Sequence, residues 1–417
     1  MKDNERKLYV GIDIHSREHR AAVIPILLLE RPGAAWRKVK PLSIRNNISD
    51  FENLDTAIKS HIASTDEVAI AVDHTGGHYS EPLVHFLQAR GYTIYYLETK
   101  AVKAARERFL DQESKSDVID STSAAYLLYL RDIHGLSFRI SAMTPELGSR
   151  ASALNPLVLQ RWQFNKLATQ ATNRLHQFLL AVFPEGEAQY FNKLLKIIPY
   201  YPTPKDILAS NCLETIEGLC RKDKEKIVEL AGNTVGVPSE IYRWLIEALS
   251  SQRSEFIAKR GALTSIIREQ VAIHPYGDIL LSFPYLGEIA AATIIGIIKD
   301  IERWPDKKKF KKTLGVYSSL TQSGSGPGHT RRGKEGSRHG RRVLFQICLG
   351  CVTSNAHDND SRDYYLRQVA RGKVRIKALV STMGKLAEII YHCLKAGEPY
   401  QYQGIYRATA TFTDKKS

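Results

Sequence analysis

The sequence predicts a mixed α/β sheet domain followed by an all-α remainder. Three observations predict it. Strand and helix signals alternate over roughly the first 135 residues, apolar residues recur at heptad spacing beyond Pro156, and the last third is helical apart from one basic, glycine-rich stretch.

Leu8, Val10 and Ile12 alternate with Tyr9, Gly11 and Asp13, the period of two that marks a strand. A second strand is expected from His19 to Leu28, and a third from Trp36 to Leu42 after the turn-forming Arg31-Pro32-Gly33. The chain therefore opens as a three-strand meander. Helix follows from Ile48 to His61, strand from Val68 to Val72, helix from Tyr79 to Ala89 and strand from Thr93 to Leu97. Helices around Lys100 to Phe109 and Ser116 to Leu130 close this unit. Antiparallel strands followed by parallel strands with crossover helices give a mixed sheet. The RNase H-like fold has this order, as do actin-like ATPases, so element order leaves the function open.

From Pro156 the pattern turns helical, with Phe164, Ala168, Ala171, Leu175, Phe178 and Val182 at alternating spacings of four and three. A second amphipathic helix starts at Ser239, an N-cap, and carries Ile241, Leu245, Leu249, Phe256, Leu263 and Ile266. The two can pair as an antiparallel coil, within one chain or between protomers. Residues 185–237 between them, rich in proline and short apolar runs, read as an inserted helical subdomain. From Pro275, a short helix, a turn at Leu286-Gly287 and a small-residue helix form a helix-hairpin-helix-like element whose turn amides can approach a phosphate. The loop TQSGSGPGHTRRGKEGSRHGRR follows, then a helix from Val343 and a basic helical segment from Tyr364 to Leu394. The expected domains are 1–140, 141–271 and 272–402, with a tail at 403–417.

Composition narrows the class. Hydrophobic residues at 43% and charged residues at 25% belong to a chain that buries cores rather than stays disordered. Lys and Arg exceed Asp and Glu by 15, and twelve of the basic residues fall between Ile301 and Arg342 against only Glu302, Asp306 and Glu335. Such a block suits a polyanion, because each neutralised phosphate releases counterions. The five cysteines are too scattered for a disulfide scaffold. Cys348 and Cys351 lie one helical turn apart in an apolar stretch and read as core residues. The N-terminus lacks a signal-peptide layout, and the apolar run after Glu288 falls short of the ~20 residues of a membrane span. A soluble cytoplasmic protein with no membrane partner is expected.

Four aspartates fall where the chemistry of phosphorus would need them. Asp13 ends an apolar strand, where a carboxylate is costly to bury without a partner such as a metal ion. Asp73 follows the strand Val68 to Val72, and Asp117 and Asp120 share one face of a helix at i and i+3. Four such carboxylates can hold two Mg²⁺ ions for displacement at phosphorus.

Four passages, VGIDIHS, VDHTGGHY with KSDVIDS, SFPYLGEIAAATIIGIIKDIERW and LGVYSSLTQSGSGPGHTRRGKEGSRHGRR, carry a resemblance. In these the sequence resembles the DEDD-type transposases of bacterial insertion sequences, the group that includes the Piv invertase and the bridge-RNA-guided recombinases. The resemblance implies a RuvC-like half containing Asp13, Asp73, Asp117 and Asp120 and a C-terminal half with a catalytic serine. On the family motif that serine is Ser323, in the triplet QSG, with Ser325 as the second choice. The family usually has glutamate where this chain has Asp73, which is one methylene shorter.

Ser323, set between glycine-permitted turns and close in sequence to Arg331, Arg332, Arg338 and Arg341, is a reasonable nucleophile toward phosphorus. Lys308, Lys309, Lys311, Lys312, Lys334 and Arg342 complete the expected nucleic-acid contacts, which His329 and His339 could extend. The expected partners are DNA at element ends and target, and further copies of the chain in a dimer or tetramer. A guide RNA is implied by the resemblance alone. A RuvC-like nuclease without a covalent serine step and a non-catalytic nucleic-acid binder are the competing readings.

Overall fold

The computed structural model describes residues 6–31, 35–73, 79–97, 102, 117–136, 140–143, 145–209, 216–321, 329–332, 335–353 and 358–404. The chain divides into two units, one made of Met1–Ala153 with His274–Ser417 and the other of Leu154–Ile273.

In the first unit, β1 (Leu8–Asp13) pairs antiparallel with β2 (Glu18–Pro25), which pairs antiparallel with β3 (Leu42–Arg45). On its other side β1 runs parallel to β4 (Val68–Asp73), β4 parallel to β5 (Ile94–Leu97), and β6 (Ile140–Met143) closes the sheet antiparallel to β5. The spatial order is β3-β2-β1-β4-β5-β6. This mixed sheet, with helices on both faces, fits the expected RNase H-like arrangement.

Alternation sorts the side chains between two cores. Val10, Ile12, Ile70, Val72 and Ile94 pack with helices α2 (Ile48–Lys59) and α3 (Glu81–Ala89). Tyr9, Ala69, Ala71, Tyr95 and Leu97 face helix α4 (Asp117–His134). Asn47 caps α2 by accepting from the Asp50 amide at 2.8 Å, and the Asp50 carboxylate accepts from the amide and guanidinium of Arg45, tying β3 to the helix.

Three sequence expectations need correction here. The second strand stops at Pro25, which lacks the amide to extend a ladder, and Ile26–Leu29 form a short helix, α1. Ala35–Lys38 form a 3-10 turn, Trp36 packs in the core, and the third strand starts only at Leu42. The strand β6 was not foreseen. Of the helix expected from Lys100 to Phe109, all but Val102 lies outside the described residues.

The second unit is built on two long helices, α5 (Pro145–Val182) and α9 (Glu240–Ala272). α5 starts eleven residues before the expected Pro156, which lies inside it. Phe178 packs on Tyr242, Arg253 donates to Thr172 at 3.1 Å, Phe164 stacks on Phe256, and Arg161 donates to Thr264 at 2.8 Å. Rising numbers on one helix meet falling numbers on the other, so the two are antiparallel within one chain. Between them, α6 (Pro184–Ile197), α7 (Pro204–Ala209) and α8 (Arg221–Gly232) gather Leu194, Ile197, Ile207 and Ile227 around Leu179 and Ile246. The apolar stripe expected on α9 holds at Leu249, which is buried, and at Phe256, which packs on Phe164, but Ile241 is 74% exposed, and Tyr242 and Ile246 take its place on the inner face.

The C-terminal part of the first unit holds α10 (Gly277–Leu281), α11 (Glu288–Ile298), α12 (Lys307–Thr313), the hairpin strands β7 (Ser318–Thr321) and β8 (His329–Arg332), and α13 (Arg338–Val352). α14 (Asp360–Ala370) and α15 (Arg375–Ala396) complete it. The glycine-rich stretch was read as a plain loop, yet β7 and β8 pair antiparallel, Ser318 with Arg332 through Thr321 with His329. The helix expected from Val343 begins at Arg338 behind the Ser337 cap, and the segment from Tyr364 to Leu394 is two helices parted by Gly372 at φ +84°. Cys348 and Cys351 are buried in the core, and burial pushes the Cys351 thiol up to about 12, so neither is poised as a thiolate. Among the described residues, no helix is long and apolar enough to cross a membrane.

Candidate functional site

The site begins with Gly11. A Cβ at this position would stand 2.0 Å from the Ser121 carbonyl oxygen and 2.5 Å from the Ala125 amide nitrogen, both backbone atoms of α4. Only a glycine lets the helix lie this close to β1. The helix contributes correspondingly small residues: Ser121, Ser123, Ala124 and Ala125 are buried, and the hydroxyls of Ser121, Thr122 and Ser123 donate to carbonyls one turn back in their own helix. Close packing at Gly11 sets the first turn of α4, which carries Asp117 and Asp120, beside the end of β1, which carries Asp13.

Asp13 is 6% exposed. By alternation it belongs with Tyr9 and Gly11 on the face of the sheet that meets α4. Ile12 pairs with Val72 across the parallel ladder, so the next residues, Asp13 and Asp73, end neighbouring strands at the same level. Asp120 is half-buried on α4. The side chains of Asp73 and Asp117 lie outside the described residues. Two of the four expected carboxylates are thus described with their side chains, and the other two are located by strand end and helix start. Among the described residues, no group of three or more His, Cys, Asp or Glu side chains gathers as a metal site.

A histidine relay backs Asp13, and sequence reasoning missed it. His15 Nε2 lies 3.1 Å from Asp13 Oδ2. The His15 amide donates to His19 Nδ1 at 3.3 Å, and His19 Nε2 is 3.0 Å from Asn46 Oδ1. An acceptor at Nδ1 and a donor at Nε2 define a neutral imidazole. Burial lowers the His19 pKa, which favours that form. The β1–β2 turn is therefore held by a neutral, buried histidine, and this fixes the backbone from which His15 reaches Asp13. The signal was legible in the motif itself, where His15 follows Asp13 by two residues.

The C-terminal half meets this sheet domain at a tight turn. Lys299 has φ +59° and ψ −71°, and the Asp300 amide donates to the Ile298 carbonyl across it at 2.8 Å. Such a turn is strained in a residue with a side chain. Asp300, 3% exposed, holds it: its carboxylate accepts from Tyr276 Oη at 3.1 Å and from the Glu302 amide, while Tyr276 Oη accepts from the Ile301 amide. The Lys299 ammonium lies over the ring of Tyr96 on β5, and burial lowers its pKa to about 8.

Of the expected nucleic-acid residues, Lys308, Lys309, Lys311 and Lys312 lie on α12, and Arg338 and Arg342 are exposed on α13. Arg341 instead directs its guanidinium to the Gly315 carbonyl at 2.9 Å and the Glu335 carbonyl at 3.3 Å, pinning the start of α13 to the end of α12. His339 is half-buried, and burial with nearby Arg338 and Arg342 lowers its pKa. Ser323, Ser325 and Lys334 lie outside the described residues, as do the side chains of Arg331, Arg332 and His329. Residues 322–328, which include both serines, join β7 to β8.

Comparison with known proteins points in one direction. Residues 10–184 match the DEDD transposase model of the IS110 type, and residues 277–366 match the transposase IS116/IS110/IS902 family. The chain is 22% identical over 408 residues to the uncharacterized 44.8 kDa protein of insertion element IS116 from Streptomyces clavuligerus, covering 95% of this chain and 96% of that one. It is 26% identical over 157 residues to the uncharacterized 43.6 kDa protein of insertion element IS110 from Streptomyces coelicolor, a match spanning 38% of each chain.

Proposed function

The chain belongs to the IS116/IS110/IS902 family of DEDD transposases, and from that membership we propose that it is an insertion-sequence recombinase that cleaves DNA strands and rejoins them through Ser323. The observation that supports the reading most is Asp13: a buried carboxylate at a strand end, oriented by His15 and approached by the first turn of α4.

Asp13, Asp73, Asp117 and Asp120 offer hard oxygen donors, the donor type that suits Mg²⁺. When bound as a pair in this donor set, Mg²⁺ would supply positive charge to the oxygens entering and leaving phosphorus. His15 keeps Asp13 Oδ2 in one orientation, and the buried strand end limits water around it. Ser323 Oγ attacks the scissile phosphorus and gives up its proton; an Oγ–P bond forms, the bridging P–O bond breaks, and the released sugar oxygen takes up a proton to leave as a hydroxyl. Attack by a second strand's hydroxyl on that link reverses the exchange and frees the serine. Arg331, Arg332, Arg338 and Arg342 stabilise the charge that builds on phosphorus, and Lys308, Lys309, Lys311, Lys312 and Lys334 hold flanking phosphates. Arg341 contributes by keeping α13 in place. The family resemblance adds a guide RNA and assembly of a dimer or tetramer to this scheme.

The test is recombination of a donor plasmid with its target, coupled to trapping of a covalent protein–DNA adduct. Asp13→Asn is expected to abolish recombination, and Ser323→Ala to abolish both recombination and adduct. Rejoining that persists in Ser323→Ala would refute the serine step and favour a nuclease working with the carboxylates alone.

A further inference from the structure

Helices α12, α14 and α15 enclose a groove of about 570 Å³, of which the strand-exchange scheme uses the α12 lysines as phosphate contacts but neither the aromatic walls nor the floor. Its walls carry Lys308, Lys309, Lys311 and Lys312 from α12 and Lys385 from α15. The one acid in the lining, Glu388, accepts from Lys311 at 2.5 Å and Lys385 at 3.4 Å, with Lys307 at 3.8 Å. Glu388 thereby gathers three ammonium groups along one side, and Lys309 also pairs with Asp306 at 3.7 Å and Lys312 with Glu335 at 2.5 Å, so the lysines of the lining keep a positive excess over these three acids.

Charge alone would suit any phosphate backbone. The shape and the remaining lining are more specific. Tyr317 and Tyr364 stand in the walls beside Val316 and Val380, and the Lys312 ammonium lies 5.4 Å from the centre of the Tyr317 ring. The floor is Gly384, one turn from Ser381 in the interior of α15. A Cβ there would meet nothing within 4 Å, so this glycine answers to no neighbouring chain segment and leaves the floor open. Glycine is disfavoured inside a helix, which makes an uncrowded one notable. The groove volume is in the range of small-ligand sites, roughly 300–1,000 Å³. A duplex is convex on this scale, with a major groove alone about 12 Å wide, and would ride over the rim.

Flat aromatic rings, a bare floor and ammonium groups are together the chemistry that takes a base by its face and its phosphodiester by charge. We propose that this groove holds an unpaired nucleotide segment, with a base against Tyr317 and Tyr364 and its phosphates on Lys308, Lys309 and Lys385. The proposal rests on the reading of the protein as a nucleic-acid enzyme and adds to it a single-strand grip separate from the carboxylates.

The test measures binding of the full chain to a labelled unpaired oligonucleotide, in deoxy and ribo forms, and to a duplex of the same length. Gly384→Leu fills the floor with a better helix former and removes no charge; Tyr317→Ala combined with Tyr364→Ala removes the stacking surfaces. Each is expected to weaken single-strand binding about tenfold, to change duplex binding less than twofold, and to leave the salt dependence as it was, since every lysine remains. A selective loss in the deoxy arm assigns the groove to displaced DNA, and one in the ribo arm assigns it to RNA. Equal losses on single strand and duplex, or no loss in a Gly384→Leu protein with an unchanged thermal midpoint, would overturn the proposal. A wild-type chain that binds no nucleic acid would sink the recombinase reading itself, whereas a recombining protein indifferent to Gly384→Leu sinks the groove alone.

Discussion

Gly11→Ala is the smallest change that should separate the two elements carrying the carboxylates. The added methyl group would lie 2.0 Å from the Ser121 carbonyl oxygen, where ordinary contact begins near 3.4 Å. α4 must therefore withdraw by about 1.4 Å or β1 must bend by as much. No side-chain change on α4 can relieve this, because the two closest atoms are backbone. Overpacking of this kind costs about 1–3 kcal/mol, and the close fit over a full helix points to the upper end. A misplacement near 1 Å can reduce catalysis on the order of 100-fold, since Asp120 moves with the helix while Asp13 stays with the strand. Urea unfolding should show a lowered midpoint with unchanged slope, and strand cleavage, measured where the variant is still folded, should fall far more than the folded fraction does. An unchanged midpoint would refute the packing argument; a lowered midpoint with full cleavage in the folded protein would refute the link between packing and the site.

Four further outcomes are expected. Gly236→Ala would bring a Cβ within 1.8 Å of the Val182 carbonyl oxygen, so the second unit should lose about 1–3 kcal/mol, read as an earlier denaturation of its helices by circular dichroism. Tyr276→Phe removes the hydroxyl between the Asp300 carboxylate and the Ile301 amide; about 1–3 kcal/mol should be lost by calorimetry, as for other buried groups left without a partner. Folded Lys299 loses its proton near pH 8 and the unfolded chain holds it to about 10.5, so the unfolded state binds more protons between these values and stability due to this residue rises with pH there; the wild type minus Lys299→Met difference in unfolding free energy should show that rise, and a flat difference would refute it. Glu388→Gln frees the lysines that Glu388 gathers and should tighten nucleic-acid binding at low salt and steepen its salt dependence.

Elements with simple periodicity were legible from the residues. β1, β4, β5, α2 and α3 appear within two residues of their expected bounds because the helices have one apolar face, the strands are short apolar runs, and each has a clear stop. The errors have local causes. Ile26–Leu29 looked like more strand, but Pro25 ends the ladder. On α9, Arg253 and Thr264 face α5 by hydrogen bonding with Thr172 and Arg161 beside the buried Leu249 and the stacked Phe256, so a stripe drawn from apolar residues alone missed part of the inner face. The hairpin β7–β8 has the sequences SSLT and HTRR, with no apolar alternation to announce it. At the site, the carboxylates were visible as acids at element ends. Of the His15–His19–Asn46 contacts only the spacing of His15 from Asp13 was visible; the rest were not, because they join β2 to Asn46 just past β3 through a register that only the folded sheet defines.

The first unit is discontinuous: it takes residues up to Ala153, yields the chain to Leu154–Ile273, and resumes at His274. On the ribosome, at about 5–20 residues per second, the mixed sheet emerges on the order of ten seconds before the segment that follows the inserted unit begins to appear. The nascent chain thus carries its acidic strand ends before its lysine-rich helices or Ser323. On the strand-exchange scheme proposed above, which needs both halves, such a chain would rejoin no DNA until synthesis is nearly complete, and a truncated product lacking the later half would rejoin none.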